Sequence, residues 1–528
     1  MGFKGELAPN SNLFSQTMVA FASVLSLVAG LWSSAAKAQD ISSEDVIAQV
    51  EEVSPVVIDV ASRLWHFAEI SLLEIQSSAL LKDLLVQNGF EITADGVAGV
   101  PTAFVAEYGS DGPVLGIMLE YDALPGLGNA PVPMLQPRAD GTLSGHGCGH
   151  NLIGAGSLGA AIALKGLLEQ TGTPGRLRIY GGASEETEGA KVYMARAGLF
   201  DDVDAMLHWH PAPLTGTMNV RTSAQQQIFI EFQGKTAHAG NNPWDGRSAL
   251  DAVELFLHGV NAMREHVKPT ARIHYIIRDG GQAANIVPDY ASVQMTFRDA
   301  TRDDVLAGVE WLEQMAEGAA LMTQTTALFV PYYGMHDLLP NTPLAERMQS
   351  HLEMLGAPEF SEEEQEFART LQSNVGLEPT GMSSTLPPLV NEPTTGGSTD
   401  VGDVSWLTPT MGVVVASIPE NIGLHTWMAT ASHGTTIGDK AAITAAKSLA
   451  LLGWDILTDE ELRAEMRADF ERRTDGFTYV SPIPDFLMEP VGLPEDMRSF
   501  ESVVELRETL LKQQSDHEHT HGDHFHSH

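Results

Sequence analysis

Val114-Leu115-Gly116-Ile117-Met118-Leu119 runs without a polar side chain and then stops at Glu120-Tyr121-Asp122. A short apolar run of this kind reads as a buried strand. The Ala/Leu-rich segment Leu152 to Glu169 reads as a helix, and Arg176 to Tyr180, ending at Gly181-Gly182, as the next strand. Strands alternating with helices point to an α/β protein with a mainly parallel sheet. Upstream, the spacing of Val46, Ile47, Val50, Val53, Val56, Val57, Val60 and Leu64 predicts a helix over 42–68, interrupted at Pro55. A second helix follows from about Glu74 to Gln87, with Asn88-Gly89 as its C-cap. Thr102 to Tyr108 reads as a strand, and 123–147 as a long loop.

The pattern changes near residue 218. Gln225–Phe232, Ala271–Arg278 and Ala291–Arg298 read as strands, and Ser248–His266 and Asp303–Glu317 as helices. That order suits a small α+β domain inserted into the larger one. The expected division is 40–217 and 336–470 for the two parts of the larger domain, 218–335 for the insert, and 471–528 for a C-terminal extension. The Pro/Thr-rich segment 355–397 is expected to be loop, Ala441–Leu452 a late helix, and the chain beyond 455 charged and peripheral.

A chain of 528 residues exceeds what one core usually serves, which agrees with two domains. Its 30 basic and 69 acidic side chains leave a formal charge of −39. Such a surface repels phosphate backbones and argues against nucleic acid as a partner. Lys4, the apolar run Met18–Trp32 and Ala36-Lys37-Ala38 have the form of a signal peptide, so residues 1–38 are expected to be removed and Gln39 to begin the mature chain. An uncleaved anchor is the alternative. The apolar run is short for a membrane span and no later stretch looks long and apolar enough, so no stable membrane insertion is expected. A periplasmic or secreted location follows. The chain has one cysteine, Cys148, hence no internal disulfide.

Acidic and His residues recur where strands end, which is where open α/β sheets place their sites. Asp122 follows one strand, Glu185 and Glu186 follow another, His208 and His210 end the run Asp204-Ala205-Met206-Leu207, and His425 comes after the strand Met411–Ala416. Each alone suits an ordinary polar residue, and adjacent glutamates suit a solvated face. Gly145-His146-Gly147-Cys148-Gly149-His150-Asn151 is stronger, because its glycines let thiol and imidazole turn toward one ion. Thiolate, imidazole and carboxylate together suit Zn²⁺ or a similar cation. Of two neighbouring carboxylates, one can bind metal while the other serves as general base.

Further stretches strengthen the pattern: Leu119 to Pro125, Ser184-Glu185-Glu186, Phe200 to Asp204 continuing to Trp209-His210-Pro211, Gly234 to Ala239, Gly246 to Val253, Gly397 to Trp406, and Leu424 to Trp427. In this order the chain resembles the metal-dependent aminoacylase/carboxypeptidase family, in its amidohydrolase branch. The resemblance implies a zinc-peptidase-like catalytic domain with an inserted lid/dimerisation domain. It implies two divalent metal ions per subunit, Zn or Mn, held by Cys148, His150, Glu186, His210 and His425, with Cys148 bridging. Glu185 falls on the general base and Asp122 on the carboxylate that orients a ligand His. His238 falls on a residue that reaches a partner subunit's site to hold an oxyanion, and Asn285 and Arg298 fall on positions that grip the substrate carboxylate. The implied reaction is hydrolysis of a small-molecule amide, an N-acyl or N-aroyl amino acid or a small dipeptide. The implied assembly is a homodimer or a pairing with a related subunit. A non-catalytic periplasmic metal- or amino-acid-binding protein on the same fold is the rival. Two departures stand out: Glu120 occupies a position that is His or Asp in many relatives, and Cys148 one that is Asp in the carboxypeptidase branch. At the C-terminus, His517, His519, His521, His524, His526 and His528 have metal-binding composition, which suits either zinc capture or an inert or tag-derived tail.

Overall fold

The computed structural model describes residues 1–2, 41–485 and 487; the body of the expected signal peptide and the His-rich tail lie outside the described residues. The first helix, α1 (Ser43–Phe67), is continuous through Pro55. Proline at 55 leaves the Glu51 carbonyl without its usual amide donor. The Ser54 hydroxyl supplies a replacement, donating to that carbonyl at 2.8 Å. Val50, Val57, Val60 and Leu64 are buried on one side, and this stripe carries the helix past the proline.

After α2 (Ile75–Gln87) come β1 (Glu91–Asp95), β2 (Phe104–Tyr108) and β3 (Val114–Leu119). α3 (His150–Thr171) leads to β4 (Arg176–Gly181), α4 (Ala190–Arg196), β5 (Ala205–Ala212) and the short β6 (Gly216–Thr217). These strands and β11 (Thr410–Ala416) form a seven-stranded sheet in the order β1-β2-β4-β3-β5-β11-β6. Its centre, β4-β3-β5-β11, is parallel, and its margins pair antiparallel. From β3 the chain steps to β4 on one side and then returns to β5 on the other. The crevice where strand order reverses therefore lies between β3 and β5, at the carboxyl ends of the strands.

The second unit has its own antiparallel sheet, β10-β7-β9-β8, made of β7 (Ala224–Gln233), β8 (Arg272–Asp279), β9 (Tyr290–Asp299) and β10 (Thr326–Met335). α5 (Ala249–Met263) and α6 (Arg302–Thr323) close a separate core of Ile228, Phe232, Phe256, Val293, Phe297 and Leu312. Alternation along β9 sends Val293, Met295 and Phe297 into that core, which leaves Arg298 on the opposite face.

The expected loop 355–397 contains a helix, α8 (Glu362–Asn374), preceded by α7 (Thr342–Leu355). A capping box between Ser361 and Glu364 starts α8. Its low apolar content hides it from a periodicity search, and the cap is the signal that would have revealed it. The late helix runs over Thr436–Thr458, and the chain beyond 455 forms another, Glu460–Arg473, that is tied to Glu392 through Arg473. The expectation that no later stretch is apolar enough to span a membrane needs correction: His150–Thr171 and Thr436–Thr458 both pass on length and composition. Their most apolar windows are 89% and 72% buried inside the protein, so core packing accounts for the composition.

Candidate metal centre

The four parallel strands deliver their chemistry to one edge. β3 leads into Glu120 and Asp122, β4 into Glu185 and Glu186, β5 carries His210, and the chain leaving β11 reaches His425. α3 begins at His150 in the same crevice, after Gly149 at φ +84°. A side chain at 149 would be strained by that φ and would collide with Pro211 and His433 within 3 Å. Glycine is thus what allows Cys148 and His150 to face the crevice together.

Three groups of donor atoms come within 4.8 Å of one another: Cys148, His150 and His210; Cys148, Glu186 and His425; and His150, Glu185 and Glu186. Cys148 belongs to two of them, as a bridging thiolate requires. Its Sγ lies 3.4 Å from His210 Nε2. His425 Nε2 lies 3.4 Å from Glu186 Oε2. His150 Nε2 has Glu186 Oε1 at 3.8 Å and Glu185 Oε2 at 3.9 Å. His150 Nε2 and Glu186 Oε1 are both buried, with no hydrogen-bond partner among the described residues. Leaving such atoms unpaired is costly, and a shared cation resolves it. The residues fit a pair of divalent ions.

Each ligand is fixed from behind. Asp122 Oδ1 lies 2.8 Å from His150 Nδ1, while its Oδ2 accepts from the Ser71 hydroxyl and the Glu186 amide. Burial works against an ionised Asp122, but His150, the Glu186 amide and Ser71 together bring its carboxyl down to about 2. His210 Nδ1 lies 2.8 Å from the Pro211 carbonyl, which leaves Nε2 for the ion. The His425 amide donates to the Gly147 carbonyl at 2.9 Å and so ties two ligand loops together.

The Glu185-Glu186 turn depends on Ser184, a non-glycine residue at φ +58°. Buried Glu74 holds it in that conformation: Ser184 donates to Glu74 Oε1 through both its amide and its hydroxyl, at 2.8 and 2.9 Å. Burial, with Glu120 and Glu186 nearby, pushes the Glu185 carboxyl well up. Burial also raises Glu186 to about 7 and Glu188, a side chain with no assigned role, to about 8.

The remaining expected residues separate into two places. Arg298 sits near the centre, with Nη1 donating to Ser398 Oγ at 3.2 Å and Nε buried without a partner among the described residues. His238 and Asn285 lie exposed in the inserted unit, on segments joined by the His238–Ile286 bridge and the Ala239-to-Asn285 hydrogen bond. Asn285 is therefore grouped with His238 rather than with Arg298. His238 Nδ1 accepts from the Gly240 and Asn241 amides, so the neutral ring carries its proton outward on Nε2. His146 belongs to none of the donor groups; it bonds the Leu64 carbonyl and the Asn151 amide and shapes the loop. Sequence reasoning missed Ser71, Glu74, Lys191 and Asp400, all of which brace the site from within. A buried lysine among small apolar residues, as in Ala190-Lys191-Val192, is the only local hint.

A metal-dependent hydrolase is the class of protein that such a crevice and donor set define. A family model for the peptidase dimerisation domain matches residues 225–322. One of the two related subunits of the p-aminobenzoyl-glutamate hydrolase of Escherichia coli (strain K12) is 36% identical over 453 residues, 81% of this chain and 94% of that protein. The Xaa-Arg dipeptidase of Homo sapiens is 28% identical over 73% of this chain and 81% of its own length. The Bacillus subtilis YXEP protein, a dinuclear metal-binding peptidase, superposes with a TM-score of 0.54 at 20% identity, over 77% of this chain and 99% of its own. The chain belongs to the M20 peptidase family, and it is an amide-cleaving hydrolase.

Proposed function

We propose that the protein hydrolyses the amide bond of N-acyl or N-aroyl amino acids, or of small dipeptides. The observation that carries this is the division between two adjacent carboxylates. Glu186 faces His150 and His425 as a ligand, while Glu185 stands beside them with Oε2 3.9 Å from His150 Nε2. The names of the relatives, p-aminobenzoyl-glutamate hydrolase, Xaa-Arg dipeptidase and N-acetyl-L-cysteine deacetylase, support an amino acid bearing an acylated nitrogen. An aminobenzoyl-glutamate-like amide is the first compound to test.

Cys148, His150, Glu186, His210 and His425 would hold two ions, zinc or manganese, whose chemistry when bound is to polarise the scissile carbonyl and acidify the attacking water. Glu185 accepts the proton of that water and passes it to the leaving nitrogen as the C–N bond breaks, releasing a carboxylic acid and an amine. Arg298 offers its guanidinium to the substrate carboxylate. His238 of a second subunit donates its Nε2 proton to the oxyanion. The dimerisation unit supports an assembly of two such chains or of this chain with a related subunit. The signal-peptide pattern supports a place outside the cytoplasm.

The test is a panel of acyl amino acids and dipeptides assayed on protein of measured metal content. Glu185→Ala is expected to keep its metal and to lose roughly 10²- to 10⁴-fold in turnover. Full activity in that variant would sink the mechanism.

A further inference from the structure

Glu120 ends β3 at the rim of the donor cluster. Its Oε2 lies 3.7 Å from His150 Nε2, no farther than Glu186 Oε1 at 3.8 Å. By distance from His150 alone it is as good a ligand as Glu186. Yet it belongs to none of the three donor groups, and its other oxygen, Oε1, meets Lys191 Nζ at 2.9 Å.

Lys191 lies in the first turn of α4 and is wholly buried. Gly182, at the end of β4, makes room for its stem: a side chain there would come within 2.9 Å of Lys191 Cε. Its ammonium also meets Asp400 Oδ1 at 2.5 Å, and its backbone amide donates to Asp400 Oδ2 at 3.1 Å. Asp400 is itself fully buried, in the segment whose Ser398 receives Arg298. A buried ammonium between two buried carboxylates is stable only while both partners stay. Moving Glu120 onto a metal ion would strip Lys191 of one of them.

We propose that Lys191, clamped by Asp400, tethers Glu120 outside the metal coordination and so keeps the donor set to Cys148, His150, Glu186, His210 and His425. Glu120 then contributes negative charge beside His150 without occupying a coordination position. Lys191 and Asp400 are positioning residues in this scheme. The inference rests on the metal-site reading above.

The experiment uses the full chain loaded with Co²⁺, read by metal stoichiometry, affinity and the visible d–d spectrum, with circular dichroism as a folding control. Glu120→Gln is expected to keep two Co²⁺ per chain and the wild-type spectrum. Loss of one equivalent, or a shifted spectrum, would make Glu120 a ligand and overturn the proposal. Lys191→Met frees Glu120 to coordinate, so its spectrum shifts and its Co²⁺ Kd falls about ten-fold or more, or ~1.4 kcal/mol. Adding Glu120→Gln to Lys191→Met returns the wild-type spectrum. An unchanged spectrum in folded Lys191→Met also overturns the tether; if that variant does not fold, Glu120→Gln decides alone. A wild-type chain that binds no Co²⁺ would instead remove the metal reading beneath it.

Discussion

His150 depends on Asp122 more than on any other neighbour. One Asp122 oxygen orients the ring, and the other takes the Glu186 amide and the Ser71 hydroxyl, so one carboxylate sets the positions of two ligands. Asp122→Asn keeps the shape but removes the charge that favours His150 as a donor through Nε2. Metal affinity is expected to fall about 10- to 100-fold, measured by equilibrium dialysis; an unchanged affinity would show that Asp122 does not orient the ligand. The ligands themselves are legible in the sequence because cysteine, histidine and paired glutamates are rare in such a sparse pattern at strand ends. Their supports are not legible. Glu74, Lys191 and Asp400 come from distant segments, and no local pattern marks a carboxylate that reaches across a fold to hold Ser184 or an ammonium.

Helix packing decides how closely the elements around the site approach. α3 lies against α1, and Gly159 is the point of contact: a side-chain carbon there would lie 2.4 Å from Val57 Cγ2. Gly318 in α6 has nothing within 4 Å. The same substitution should therefore act in opposite directions. Gly159→Ala gains helix propensity but wedges α1 and α3 apart, and is expected to destabilise by about 1–3 kcal/mol. Gly318→Ala should stabilise by roughly 0.5–1 kcal/mol. Urea unfolding of both variants measures the difference, and equal shifts would contradict the packing. At this scale the buried strand β3, helix α3 and the strands of the inserted sheet follow from apolar periodicity. The helix at Glu362–Asn374 does not, because it is held by a cap and tertiary contact rather than by an apolar stripe.

The whole molecule separates its site into two halves. Glu185 and Arg298 lie with the metal donors, while His238 and Asn285 are exposed in the inserted unit. If His238 serves a second subunit, Glu185→Ala and His238→Ala are each inactive alone but complement each other. A mixed dimer would contain one site with an intact Glu185 and an intact partner His238. Mixing the two after subunit exchange is expected to restore up to about a quarter of wild-type activity, since half the dimers are mixed and each has one working site. No recovery, with exchange verified by mass, would place His238's role within its own chain.

By itself the sequence determined the alternation of strand and helix, the separate inserted unit and the identity of the donors, because periodicity, glycine placement and rare ligand types are local properties. Only the tertiary structure decided which donors meet around Cys148, how His238 and Asn285 part from Arg298, and why Glu120 stays with Lys191. Those outcomes depend on strand order and on the burial of charges from distant segments, and a buried charge must find its partner in space, not along the chain.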